Sequence, residues 1–395
     1  MSSKTKDQII YLDNNATTQV DPAVFEEMLP WLRDEYGNPS SAYSLGKHAA
    51  KALETARDRV AHLIGCESRE VLFTSCGSES INSAIRSALL IDPDKQHIIT
   101  SSVEHSATQK LCDHLAKRGY EITWLPVDHD GNIDLEKLEK AIRPDTAIVS
   151  LLWANNETGV LFPVEKIAEI CKRKHTLLHI DAVQAVGKVP MKISELPIHF
   201  LSLSGHKLHC PKGVGSLFIS KKVRFTPWLI GGSQENNRRG GTQNVASIIG
   251  LGKAAELASH HIHEETTRVR KLRDRFEAAI LEAVHGSSVN GDLIHRLPNT
   301  ASIAFKGIES EAALMLLDEE HIYCSAGSAC TTGSVHASHV LKAMGMSDTR
   351  ARGSLRFSFG RFNTEKQIDR AIEIVPRVLE KVHRVSHSNS PVHMH

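Results

Sequence analysis

The sequence predicts an α/β protein: a mostly parallel sheet flanked by helices, with a smaller α+β unit at the C-terminal end. Three observations carry that expectation. Short apolar runs alternate with helical periodicity over most of the first two thirds of the chain, the pattern of strands that bury both faces. One long helical pattern, from Val245 to near Val284 with a single bend, then interrupts the alternation. Beyond it the strand-like and helix-like runs are few and mixed. The 395 residues leave room for two domains. Their boundaries read as 15–258 for the larger and 1–14 with 259–395 for the smaller.

Strands are expected over 70–74, where Val71-Leu72-Phe73 is apolar, and over 97–101 around Ile98-Ile99. Further strands are expected over 121–125, 147–152, 176–180, 199–203 and 214–219. The helices between them, with apolar residues three and four apart, are expected over 49–64, 80–90, 107–117, 135–142 and 164–173. The smaller unit should hold strands over 301–305 and 355–358 and helices over 310–317 and 366–382. The tail 386–395 is polar. Its three histidines read as part of a loose terminus rather than a metal site, and no metal is expected elsewhere.

Hydrophobic residues make up 41% and charged residues 24%, an ordinary globular balance, and the formal net charge is +1. Neither nucleic acid nor a membrane surface is an expected partner, since both call for a basic excess. The seven cysteines are odd in number and none has CxxC spacing. A disulfide framework or a structural zinc site is therefore not expected, and free thiols suit a reducing cytoplasm. The N-terminus does not read as a signal peptide, and no apolar run approaches the roughly 20 residues of a membrane span.

In sheets of this kind ligands sit beyond the carboxyl ends of the strands. Ser204-Gly205-His206-Lys207 follows the apolar run 198–203, and Pro211 and Gly213 then force a loop. A lysine held there can be desolvated, which lowers its pKa and frees the amine to form a Schiff base with an aldehyde. Ser75-Cys76-Gly77-Ser78 opens onto a helix. It reads either as an anion cradle of free N–H groups or as plain N-capping by Ser78 or Ser75. Glu104-His105 follows the next strand, and His105 either stacks on a flat ligand or makes a structural hydrogen bond. Asn155-Asn156-Glu157 supplies directional hydrogen bonds or an Asx turn. Asp181, followed by Gln184, ends an apolar strand. Its carboxylate suits a protonated ring nitrogen or a helix N-cap. Far away, 325–333 is built of small residues around Cys330, which reads as a mobile loop with an exposed, reactive thiol or as a simple turn. Cys324 reads as structural.

Together these pieces resemble the pyridoxal-phosphate-dependent cysteine desulfurases of the NifS/IscS type. The resemblance runs from Tyr11-Leu12-Asp13-Asn14-Asn15-Ala16-Thr17-Thr18 to Arg356-Phe357-Ser358-Phe359-Gly360-Arg361-Phe362. Its most specific marks are Ser204-Gly205-His206-Lys207 and Gly327-Ser328-Ala329-Cys330. It implies the aminotransferase-like fold of type I, with the cofactor on the larger domain and the Cys330 loop on the smaller. It also implies a role for each site residue. Lys207 would carry pyridoxal 5′-phosphate and remove the Cα proton of the substrate. Asp181 would pair with the ring nitrogen, His105 would stack on the ring, and Gln184 would contact its phenolic oxygen. Gly77, Ser78, Ser204 and His206 would hold the phosphate, completed by Thr242 from a second subunit of a homodimer. Arg356, helped by Asn156 and Asn14, would clamp the carboxylate of free L-cysteine. Cys330 would take the sulfur as a persulfide, releasing L-alanine, for an iron–sulfur scaffold or other sulfur-acceptor protein.

Three positions depart from the commoner pattern of the family: Cys76 in place of glycine, Ala326 in place of serine, and Tyr43 where histidine is frequent. The tail differs from that of housekeeping members and leans towards the nitrogenase-associated subtype. Competing readings on the same fold are an aminotransferase, which has no use for Cys330, and a selenocysteine lyase. A catalytically silent scaffold subunit is opposed by Lys207, Cys330 and Arg356.

Overall fold

The computed structural model describes residues 9–326 and 337–388. The Cys330 segment lies outside the described residues. Strands are numbered in chain order from β1 (Ile10–Tyr11). The larger sheet comprises β2 (Val71–Thr74), β3 (His97–Ser101), β4 (Glu121–Leu125), β5 (Thr146–Leu152), β6 (Leu177–Asp181), β7 (Phe200–Ser204) and β8 (Gly215–Ile219). Its spatial order is β2-β8-β7-β6-β5-β3-β4. From β7 to β4 all neighbours are parallel, while β8 runs antiparallel to both β2 and β7. The seven expected strands are all present, each within one residue of its expected ends. Successive side chains enter opposite cores: Ile98, Ile148 and Phe200 on one face, Ile99, Val149 and Leu201 on the other.

Two histidines cross this sheet as polar rungs. His179 on β6 is fully buried; its Nδ1 meets Ser150 Oγ on β5 at 2.8 Å, and its Nε2 meets Ser202 Oγ on β7 at 2.8 Å. His97 on β3 likewise bridges Thr146 Oγ1 and Thr123 Oγ1, each at 2.8 Å. Burial pushes the His179 pKa down to about 3. Its unfolded value lies near 6.5, so the folded state excludes a proton that the unfolded chain accepts. The stabilising effect of the neutral ring is complete above about pH 6.5 and is lost as pH falls towards about 3. The thermal midpoint should therefore drop between about pH 6.5 and about pH 4. His179→Gln, which cannot titrate, should flatten that slope in a melting series against pH. An unchanged slope refutes the assignment.

The helix Pro22–Arg33 escaped the sequence reading, although Asp21-Pro22 announces it. Asp21 caps it through a 2.8 Å bond from the Ala23 amide, and proline stands in its first turn. It packs Val24 and Met28 onto the helix Val245–Glu264 at Gly250, where an added Cβ would lie 2.5 Å from Met28 Sδ.

The expected bend is a π-turn, Glu265–Val269, between Val245–Glu264 and Arg270–Ala283. It lies between two cores: Ala258 packs in the first and Val269 in the second. The second core covers a four-stranded antiparallel sheet, ordered β12 (Ser325–Ala326), β13 (Ser354–Ser358), β10 (Thr300–Phe305) and β9 (Ser287–Val289). Ile10 and Leu12 join this core, and β1 pairs in parallel with β11 (Ile322–Tyr323). One stretch departs from the expected division. Val340, Leu341, Met344 and Ala351 pack with the first core, because the short helix His339–Ala343 lies against the larger sheet's side of the molecule. Among the described residues no helix is long and apolar enough to cross a membrane.

Candidate active site

The carboxyl ends of β6 and β7, the amino end of the helix Gly77–Ile91 and Arg356 of β13 surround one cavity of about 280 Å³. Asp181 ends β6, and its Oδ1 accepts from the Val183 amide at 3.0 Å. Burial raises its pKa, opposed by His105, the Val183 amide and Lys207. A carboxylate so desolvated gains most from a cationic partner. His105 caps the helix Ser106–Ala116: its Nδ1 accepts from the Ala107 amide at 3.2 Å. The ring proton is thereby assigned to Nε2. Burial lowers the pKa of His105, so a neutral flat ring faces the cavity. His105 thus makes its structural hydrogen bond while its ring lines the cavity.

Lys207 closes a single 3₁₀ turn after β7. Its Nζ donates to the carbonyls of Asn15 at 2.5 Å and Ala16 at 2.7 Å. Those carbonyls hold the amine in the cavity, and neither residue was singled out from the sequence. Gln184 lines the same wall and donates from Nε2 to Asn15 O at 2.9 Å.

The helix Gly77–Ile91 begins with Cys76 as its N-cap, and no side chain caps it. The expected capping by Ser78 or Ser75 is not made: Ser78 lies inside the first turn, and Ser75 meets Glu79 Oε2 through its amide at 2.7 Å. Gly77 suits a tight approach here, because a Cβ would sit 2.9 Å from Val183 Cγ2 and that side chain would have to shift. Uncapped N–H groups lie beside Gly77, Ser78, Ser204 and His206, a helix end of the kind whose free donors favour an anion. Burial, then Lys207, holds the His206 pKa down at about 4, so its ring is neutral near pH 7.

At the other end Arg356 is 1% exposed. Its Nη2 donates to Asp13 Oδ1 at 2.6 Å and its Nη1 to the Asn156 carbonyl at 3.0 Å, while its Nε has no hydrogen-bond partner among the described residues. Asn156 thus steadies the arginine through its backbone. Asn14 needs a correction. It does not line the cavity, because its Nδ2 donates to Ser358 O at 2.9 Å and its amide packs against Gly360. The next residue, Asn15, lines the cavity instead. Thr242 is exposed and does not line the cavity of its own chain. Its turn is anchored by Glu235, which pairs with Arg57 at 2.7 and 2.9 Å and accepts from Gln243 at 2.8 Å. Cys324 packs beside the second core, and desolvation pushes its thiol pKa up. Cys330 lies outside the described residues.

A family model described as aminotransferase class-V matches residues 10–371. The chain belongs to that family. Within the class-V family it is 50% identical over 378 residues to a cysteine desulfurase of Nostoc sp., covering 96% of this chain and 94% of the relative. It is 50% identical over 387 residues to the cysteine desulfurase NifS of Azotobacter vinelandii, covering 97% and 96%. Among solved structures, a NifS-like protein superposes with a TM-score of 0.89 at 38% identity, covering 94% of this chain and all of the other. The class-V chain is an enzyme of the pyridoxal-phosphate-dependent cysteine desulfurase group.

The residues present fit that cofactor. A buried carboxylate suits a cationic ring nitrogen, a neutral imidazole offers a flat face, and an uncapped helix end suits a phosphate. A primary amine stands among them.

Proposed function

We propose that the cavity takes free L-cysteine and that Cys330 accepts its sulfur, for delivery to an acceptor protein of iron–sulfur cluster assembly. The observation that supports this reading best is the convergence on one cavity of Lys207 and Asp181 from the larger sheet and Arg356 from the smaller. Pyridoxal 5′-phosphate, when bound, supplies an electron sink for the charge left on Cα. Arg356 binds the substrate carboxylate through the guanidinium N–H groups that Asp13 and Asn156 leave over. Lys207 Nζ takes the Cα proton, and the carbonyls of Asn15 and Ala16 orient it. His105 holds its own proton on Nε2 and excludes water from one face. The Cys330 thiolate attacks the substrate sulfur: the S–S bond forms as the Cβ–S bond breaks. One L-cysteine and one thiol become one L-alanine and one persulfide. Mass spectrometry after incubation with L-cysteine should find one added sulfur on the Cys330 peptide, matched by alanine. Alanine without sulfur on any cysteine refutes the proposal.

The active form is a homodimer with shared sites. Support comes from the exposed run Trp228, Leu229 and Ile230 beside the Thr242 turn; Ile230 is 85% exposed. An uncovered apolar patch of this kind favours association. Mixing Thr242→Ala with Lys207→Ala protein should restore part of the activity, because one heterodimer site then holds both intact residues. A monomer at micromolar concentration, with cofactor affinity unchanged in Thr242→Ala, overturns the shared site. A reducing, cytoplasmic setting suits a mechanism that consumes and regenerates a free thiol.

A further inference from the structure

Behind the cavity, the turn after β6 buries a second lysine that the mechanism does not use. Lys188 is 6% exposed. Gly187 before it adopts φ +75°, where a Cβ would sit 2.6 Å from Leu208 Cδ2, so the chain folds tightly enough to turn Lys188 inwards. Its Nζ donates to the Gln184 carbonyl at 3.2 Å and to Gln184 Oε1 at 3.3 Å. Lys188 also lines a small second cavity of about 30 Å³ together with Glu265 of the π-turn. Glu265 is 8% exposed, and its Oε2 has no hydrogen-bond partner among the described residues. Arg361 and His261 share that cavity, and Arg356 opposes the charge of Lys188 from further off.

We propose that Lys188 is a positioning residue for cofactor binding: its ammonium, balanced by Glu265, fixes the Gln184 amide so that the main cavity is offered an N–H donor rather than a carbonyl acceptor. An ammonium donates and cannot accept, so the amide oxygen must face it. Nε2 then points towards Asn15 O, which it meets at 2.9 Å. Reversing the amide would set NH₂ against the ammonium and oxygen against oxygen. Both contacts would turn repulsive, and the buried groups would lose their partners. One amide hydrogen goes to Asn15 O; the other remains for an acceptor in the cavity. The ligand atom recognised there is an anionic oxygen on a flat ring. Lys188 and Glu265 thus tie the cofactor contact to the π-turn that separates the two cores.

The proposal rests on Gln184 as a cofactor contact, so the test separates the two. Apoprotein is reloaded with pyridoxal 5′-phosphate, and both its affinity and the pH midpoint of its visible absorption band are measured. A hydrogen bond to an ionised oxygen keeps it ionised, so Gln184→Ala should raise the midpoint by about one pH unit. Lys188→Met should raise it in the same direction and weaken cofactor binding several-fold. The double variant should be no worse than Gln184→Ala alone. If Gln184→Ala moves the midpoint and Lys188→Met does not, or if the two effects add, the positioning role is overturned while the Gln184 contact stands. If Gln184→Ala itself moves nothing, the contact and the proposal both fall. Should Lys188→Met not fold, Glu265→Gln removes the counter-charge and leaves both partners in place. Its midpoint should move with that of Gln184→Ala, and an unmoved midpoint overturns the proposal.

Discussion

Lys207→Ala is expected to abolish turnover and to remove the covalent cofactor link. Loss of a positioned proton carrier alone costs roughly 10²–10⁴-fold in rate, and under the proposed function the same amine also holds the cofactor. The amine stands at the end of β7 with two backbone carbonyls on it, a placement that no neighbouring lysine shares. Lys212 is exposed and does not line the cavity. Lys188 opens onto the smaller cavity and is occupied by Gln184. Borohydride reduction of the holoenzyme followed by peptide mapping should place the cofactor on the Lys207 peptide. A label on Lys212 or Lys188 would overturn the assignment.

Cys330→Ala is expected to bind both cofactor and cysteine yet release almost no alanine. Without a nucleophile for the sulfur, the Cβ–S bond persists and substrate accumulates on the enzyme, visible as a new absorption band on adding cysteine. Cys324→Ala is the matched control and should keep most activity. Its thiol packs beside the second core, and desolvation holds its pKa far above neutrality. Alanine release at near the wild-type rate from Cys330→Ala, with no persulfide anywhere on the chain, would make the desulfurase mechanism untenable. A selenocysteine lyase reading would then lead, since selenium leaves without a thiolate to pull it.

The strands of the larger sheet were legible because both their faces are covered, which writes them as apolar runs. Asp181, His105 and Lys207, which line the cavity, were legible for a related reason: each stands at the end of such a run or within four residues of it. Other features left no such mark. The grip of Asn15 and Ala16 on Lys207 is made by backbone carbonyls, which any residue carries. Asp13 and Arg356 meet across 343 positions of sequence. Asn14 and Asn15 are adjacent and chemically identical. Only the bridge of Asp13 to Ser358 and the packing of Gly360 decide that the first amide turns away and the second lines the cavity. Lys188, in Val186-Gly187-Lys188-Val189, reads as a surface lysine until the glycine's left-handed turn is known.

The histidine rung through β5, β6 and β7 acts as a ruler. Without the rung, the aliphatic residues that make up most of the rest of these strands would tolerate a slip along one another, because one aliphatic side chain replaces the next at little cost. A slip of one residue would turn the His179 imidazole to the other face and strand it in a dry interior without Ser150 or Ser202. That loss is on the order of several kcal/mol. Asp181 lies two residues beyond His179, and Ser204 two residues beyond Ser202, on the same faces as the rung. The height at which Asp181 and Ser204 stand above the sheet is therefore set in its interior. Conservative changes at the rung should misalign the site without touching any residue that lines it.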